Sequence, residues 1–100
     1  MVEESTTKQT LLKPAGDIVA SAVSELRQQL KSIADGGAQQ VTIDLAQVQI
    51  VDSTGIGLLI AAYNTLQKAG GKIALINASR DLVLLFKSMR LDQRFEIGGA

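Results

Sequence analysis

The chain has no cysteine, no histidine, no tryptophan and a single proline, and its only aromatic residues are Tyr63, Phe86 and Phe95. Without cysteine there is no disulfide framework, thiolate nucleophile or redox centre. Without histidine as well, the common tetrahedral zinc sites and the His-based acid–base pairs cannot be assembled. Most enzyme mechanisms are thereby closed, and no catalytic residue, metal or cofactor is expected. Three scattered aromatics make no base-stacking platform. Nor is there a basic surplus: ten Lys and Arg balance ten Asp and Glu, spread singly from Lys8 to Arg94. Both facts argue against nucleic acid as a partner. The longest apolar run, Ile56 to Ala62, falls far short of the roughly 20 residues that cross a bilayer. The polar opening (Glu3, Glu4, Ser5, Thr6, Thr7) carries no secretory signal. A cytoplasmic protein without direct membrane insertion is expected.

What is present suits one globular domain: 100 residues, 46% hydrophobic and 20% charged. A chain of this length buries roughly two-thirds of its unfolded surface, enough for a core without metal or disulfide staples. Residues 1–8 are polar and expected to be a flexible N-terminus, with the domain over 9–97. Thr10-Leu11-Leu12 predicts a short strand, stopped by Pro14 and turned by Gly16. Asp17 stands where an N-cap belongs. Val19, Ala22, Val23, Leu26, Leu30 and Ile33 recur at three- and four-residue spacing, one apolar helical stripe ended by Gly36-Gly37. Val41 to Leu45 alternates as a strand.

Asp52-Ser53-Thr54-Gly55-Ile56-Gly57 opens a second helix that reaches about Ala69 and stops at Gly70-Gly71. Lys72 to Ile76 is a third strand. Asn77 or Ser79 caps a third helix over Asp81 to Met89, and Arg94 to Ile97 adds an edge strand. The alternation of strands and helices predicts an α/β domain.

Only residues 51–60 are locally unusual. Ser53 lacks the flanking glycines of a nucleophile elbow, having Val51 and Gly55 instead. Gly55 and Gly57 begin a dinucleotide fingerprint that Ile60 breaks. No phosphate-binding Gly-x-x-x-x-Gly-Lys loop exists. Asp52, Ser53 and Thr54 are also simply the residues that cap helices, and loss of such a cap costs ~1 kcal/mol. The glycines point further, since each costs about 1 kcal/mol against alanine within a helix. Tight packing on the sheet explains one of them. Two suggest that the backbone there must be bent or approached closely, a clearance that a partner protein or an enzyme acting on Ser53 would both need.

Projected at about 100° per residue, Leu59, Ala62, Tyr63 and Leu66 form the core face of this helix. Ile56 and Ile60 lie on the flank nearest Ser53, and Leu58 on the other. That flank is either an apolar contact surface beside the serine or a patch that loops cover.

Val41-Thr42-Ile43-Asp44-Leu45, Val51-Asp52-Ser53-Thr54-Gly55-Ile56-Gly57-Leu58 and Ala69-Gly70-Gly71-Lys72 resemble the STAS domain family. Its members are the bacterial anti-sigma-factor antagonists and their relatives in sulfate transporters. Arg80 to Leu91 is similar to the family's third helical region. The resemblance implies a mixed four- or five-stranded sheet with helices mainly on one face. It also implies a regulatory protein, not an enzyme. The unmodified form of such an antagonist binds an anti-sigma factor that is itself a Ser/Thr protein kinase. Phosphorylation of the serine after the aspartate ends binding, and a Ser/Thr phosphatase restores it.

Carried over by position, the acceptor is Ser53, ahead of its neighbour Thr54. The implied partner surface takes in Asp17, Asp52, Ser53, Thr54, Gly55, Ile56, Gly57 and Ile60. ATP belongs to the kinase, so no cofactor is implied for this chain. The family's Gly-x-(Leu/Ile)-Asp stretch is altered here to Gly16-Asp17-Ile18-Val19, and Pro14 falls where a second strand should finish. A shortened or missing first hairpin is therefore expected.

A phosphate adds about −1.5 to −2 charge, which a helix N-terminus tolerates and an apolar interface does not. The switch is expected to spoil docking, not to unfold the domain. The alternative is a constitutive adaptor subunit, resembling those on the ATPase of lipid-transport ABC systems, that uses the same surface without modification. A small enzyme or nucleotide binder is the third reading. The oligomeric state is expected to be a monomer or weak dimer.

Overall fold

The computed structural model describes residues 9–99. The chain runs β1 (Gln9–Leu12), α1 (Ala20–Asp35), β2 (Gln40–Asp44), α2 (Ser53–Lys68), β3 (Lys72–Ala78), α3 (Arg80–Ser88), a 3₁₀ turn (Leu91–Gln93) and β4 (Glu96–Gly99). The sheet order is β1-β2-β3-β4. The flexible N-terminus expected over residues 1–8 lies outside the described residues.

All three strand pairs are parallel. The expected mixed sheet is corrected on this point for the described residues. Each pair is joined through a helix, which returns the chain to the end of the sheet where the previous strand began. The second strand of the expected first hairpin corresponds to β1, and residues 1–8, where its first strand would lie, are outside the described residues.

Strand alternation decides which side is core. Leu12, Ile43, Leu75 and Ile97 form one cross-sheet row, with Val41 paired to Ile73 in the next row of the same face. Val41, Ile43, Ile73 and Leu75 are buried there, together with Val23, Leu26 and Leu30 of α1 and Leu59 and Leu66 of α2. The opposite face carries exposed Leu11 and half-buried Thr42 and Ala74. α1 packs on α2, and α3 packs against β3 and β4. At the far end of α2, Tyr63 meets the Phe95 ring at 5.3 Å between centroids, which ties the last turn of chain to the helix.

Helix ends follow local chemistry in two of three cases. Ser79 caps α3, its Oγ accepting the Leu82 N–H at 3.2 Å. α2 stops where Gly70 turns left-handed (φ 79°). α1 is the exception: its N-cap is Val19, which has no side-chain acceptor to offer.

β2 and β3 are fastened at their C-terminal ends by Asp44. Its Oδ1 accepts the Ala46 N–H at 2.9 Å and Nδ2 of Asn77 at 3.1 Å. Asn77 is left-handed (φ 57°), a conformation asparagine tolerates, and the β3–β4 register shifts beside it. The Ala46 N–H and then the Asn77 amide hold the Asp44 carboxyl below the ordinary aspartate value of 3.8, with Lys13 adding a smaller pull. A carboxyl depressed by folding contributes stability above its unfolded value and loses it as pH falls through the folded one. In an NMR titration Asp44 should therefore protonate below 3.8. Asn77→Ala should move that midpoint upward, and an unchanged midpoint would refute the assignment.

Candidate functional site at the start of α2

The β1–α1 and β2–α2 loops lie side by side at one end of the sheet. Ile18 and Val51 form a parallel bridge. The Ile18 N–H donates to the Ile50 carbonyl at 3.0 Å, and the Asp52 N–H donates to the Ile18 carbonyl at 3.2 Å. Two carboxylates complete the junction from opposite sides. Asp52 Oδ1 accepts the Gly55 N–H at 2.8 Å, capping α2. Its Oδ2 accepts the Ala20 N–H at 3.1 Å, so the same side chain also caps α1. Asp17 Oδ1 reaches the other way and accepts the N–H groups of Gln49 and Ile50 at 2.9 and 3.1 Å.

Asp17 is therefore not the N-cap of α1, which corrects the expectation from local sequence. The helix begins three residues later, at Ala20, and takes its cap from Asp52. Each loop's aspartate satisfies backbone donors of the other loop. Helix-start donors would otherwise remain orphaned.

Ser53 opens the helix from its first helical position, because Asp52 is the cap. Its side chain is exposed and makes no hydrogen bond among the described residues. The helix-cap explanation weighed for this serine is thus removed by Asp52. Thr54 is exposed beside it.

The two glycines separate. A Cβ on Gly55 would overlap the Ile18 carbonyl oxygen and lie 3.0 Å from side-chain carbons of Ile18 and Val51. Gly55 is buried and serves the packing of α2 against the β1–α1 loop. A Cβ on Gly57 meets nothing within 4 Å. Nothing within the described chain requires glycine there, and its surface is open.

The apolar flank is also rearranged. Ile56 is only 5% exposed and Leu58 is buried on the other side, so both belong to the core. Ile56 and Gly55 are withdrawn from the contact surface, and Ile60 is half-buried. The wide apolar arc of α2 is filled because Ile56 on one edge and Leu58 on the other both join the core, with α2 packed on α1 and β3. The side chain that sequence reasoning missed is Ile50, 56% exposed in the loop that leads to Ser53. A signal existed: Ile50 and Val51 are adjacent, and in extended backbone neighbours face opposite sides. Val51 takes the buried side.

The surface left at this end includes Ser53, Thr54, Gly57 and Ile50, with Asp17 and Asp52 half-buried. From residue 32 to residue 67 the chain has no Lys or Arg, so the face carries aspartates without local counter-ions of its own segment. Among the described residues no group of acidic side chains is arranged to hold a metal. None of their helices is long and apolar enough to cross a membrane.

Residues 1–98 match the family model described as Mlab, STAS domain. The anti-sigma-B factor antagonist of Bacillus subtilis (strain 168) is 36% identical over 72 residues, which cover 72% of this chain and 65% of that protein's length. Thus the match spans slightly less than two-thirds of that relative. An anti-sigma factor antagonist from Mycobacterium paratuberculosis has the same fold, with a TM-score of 0.81 at 21% identity over 97% of this chain and 82% of that one. So does the Bacillus cell-fate determinant SpoIIAA in its phosphorylated form, with a TM-score of 0.71 at 21% identity over 94% of this chain and 86% of that one.

Proposed function

Because the chain belongs to the STAS domain family, we propose that it is a phospho-switched regulatory binding protein of the anti-sigma-factor-antagonist kind. Its unmodified form binds an anti-sigma factor or related Ser/Thr protein kinase through the start of α2, and phosphorylation of Ser53 ends binding. The observation that carries this reading is the free Ser53 hydroxyl, exposed at a helix start that Asp52 already caps. A relative named as an anti-sigma-B factor antagonist supports it, as does a fold relative solved in phosphorylated form.

In the modification, Ser53 Oγ forms a bond to the γ-phosphorus of ATP held by the kinase. The bond to ADP breaks, and the hydroxyl proton leaves to a base of the kinase. A Ser/Thr phosphatase reverses the change by hydrolysis. The phosphate lands where the helix dipole and the first N–H groups favour an anion. It is hard to desolvate inside an interface, and the neighbouring Asp52 carboxylate adds like-charge repulsion.

The test is capture from native lysate with wild type, Ser53→Ala and Ser53→Asp, followed by binding measurements on the purified partner. Wild type and Ser53→Ala should bind a kinase-type regulator, and Ser53→Asp should bind at least about tenfold more weakly, a loss of roughly 1.4 kcal/mol. Phosphorylated protein should keep its circular dichroism spectrum and melt within a few degrees of the unmodified form. Unfolding on phosphorylation would defeat the docking account.

The match to a family model described as Mlab favours one second reading, a constitutive adaptor of a lipid-transport ABC system. Equal recovery of a transporter ATPase by all three proteins would establish that reading and reduce Ser53 to a bystander.

A further inference from the structure

We propose that Ile50 is the apolar anchor of the partner contact and that Asp17 is the positioning residue that presents it; this rests on the reading of the Ser53 face given above. Four large apolar side chains are prominently exposed among the described residues: Leu11, Ile50, Leu84 and Met89. Only Ile50 lies in the loop that leads to Ser53; Leu11 is on β1, Leu84 on α3, and Met89 just beyond it.

Its backbone is held at both polar groups. The N–H donates to Asp17 Oδ1 at 3.1 Å, and the carbonyl accepts the Ile18 N–H at 3.0 Å. The bridge between Ile18 and Val51 makes this stretch strand-like, and Val51 is buried. Ile50 therefore turns outward, opposite Val51, two residues (about 7 Å of extended chain) before Asp52, whose carboxylate is occupied by the two helix starts. A branched aliphatic side chain on a backbone fixed in advance loses little freedom when it docks. A side chain that becomes fully desolvated on binding can carry a large share of an interface's energy. The occupant is the kinase-type partner of the Ser53 face, and it must offer an apolar socket for a branched side chain beside the start of α2. Asp17, implied as a contact residue by the family resemblance, acts instead through the loop it holds.

The measurement uses the full chain and the purified partner recovered by the wild type. Ile50→Ala should weaken binding about thirtyfold, with an unchanged melting temperature. Ile50→Leu should keep most of the affinity, and Leu84→Ala, equally exposed at 58%, should lose none. Asp17→Ala should weaken binding and speed amide exchange at Gln49 and Ile50. On the Ile50→Ala background the same substitution should cost nothing further, and Asp17→Asn, which keeps an acceptor oxygen, should recover most of the binding.

Binding by Ile50→Ala within twofold of wild type, while Ser53→Asp still releases the partner, overturns the anchor and leaves the switch standing. Equal binding by Ser53→Asp and wild type overturns the switch. If Ile50→Ala only dissociates a dimer of this chain, the anchor serves a second copy and the proposal fails. Recovery of no partner by the wild type overturns both.

Discussion

Gly55→Ala is expected to destabilise the domain by about 3 kcal/mol or more, at the upper end of what overpacking costs. The added methyl would collide with the Ile18 carbonyl oxygen, a backbone atom with no rotamer to escape into. That carbonyl also accepts the Asp52 N–H. Relief of the clash therefore pulls apart the two loops that hold the start of α2. For a domain of this size the melting temperature should fall by roughly 12–24 °C.

Gly57→Ala, only two positions on, should do the opposite. Its Cβ enters open space, and exchanging glycine for alanine in a helix gains about 1 kcal/mol. Thermal denaturation of the two variants separates the roles of these glycines. Equal destabilisation by both would mean that the loop contact at Gly55 is not the constraint it appears on geometry. Gly57→Ala should also weaken partner binding, because the methyl stands on the open face beside Ser53. Unchanged affinity would remove Gly57 from that face.

Asp52→Ala should be the second large loss, about 2 kcal/mol from two caps at ~1 kcal/mol each. One carboxylate serves Gly55 at 2.8 Å and Ala20 at 3.1 Å. Its removal orphans a donor at the start of each helix. Chemical denaturation should show the loss, and amide exchange at Ala20 and Gly55 should accelerate together. Asp52→Asn, with one acceptor oxygen left, should fall between alanine and wild type. A loss below about 0.5 kcal/mol would mean that water replaces both caps without penalty. Acceleration at Gly55 alone would mean that α1 does not depend on Asp52.

The local signals in the sequence were sufficient wherever the cause was local. Ser79 precedes an apolar helical pattern and caps it within three residues. Gly70 follows the last turn of α2 and supplies the left-handed residue that ends it. The stripe of Val23, Leu26 and Leu30 gives a buried face because its spacing matches the helical repeat. The resemblance of the Asp52–Leu58 segment was legible for the same reason: the cap, the exposed serine and the two glycines all fall between residues 52 and 57.

Failures have a common physical source, contact between residues far apart in the chain. Asp17 looks like a cap because a helical apolar pattern follows it, but its Oδ1 is used by Gln49 and Ile50, 32 and 33 positions away. Ile56 belongs to an arc too wide for one core face. Only the packed structure shows that it is buried and that Ile50 is exposed instead.

By itself the sequence determined the α/β alternation, the absence of His and Cys chemistry, and the serine at the opening of α2. Periodicity and composition act along the chain and need no partner element. The tertiary structure alone decided that one aspartate caps two helices, that one glycine is a packing necessity and the other an opening, and that Ile50 faces outward. Each of these depends on which segments folding brings against the start of α2, and that is written in no local pattern.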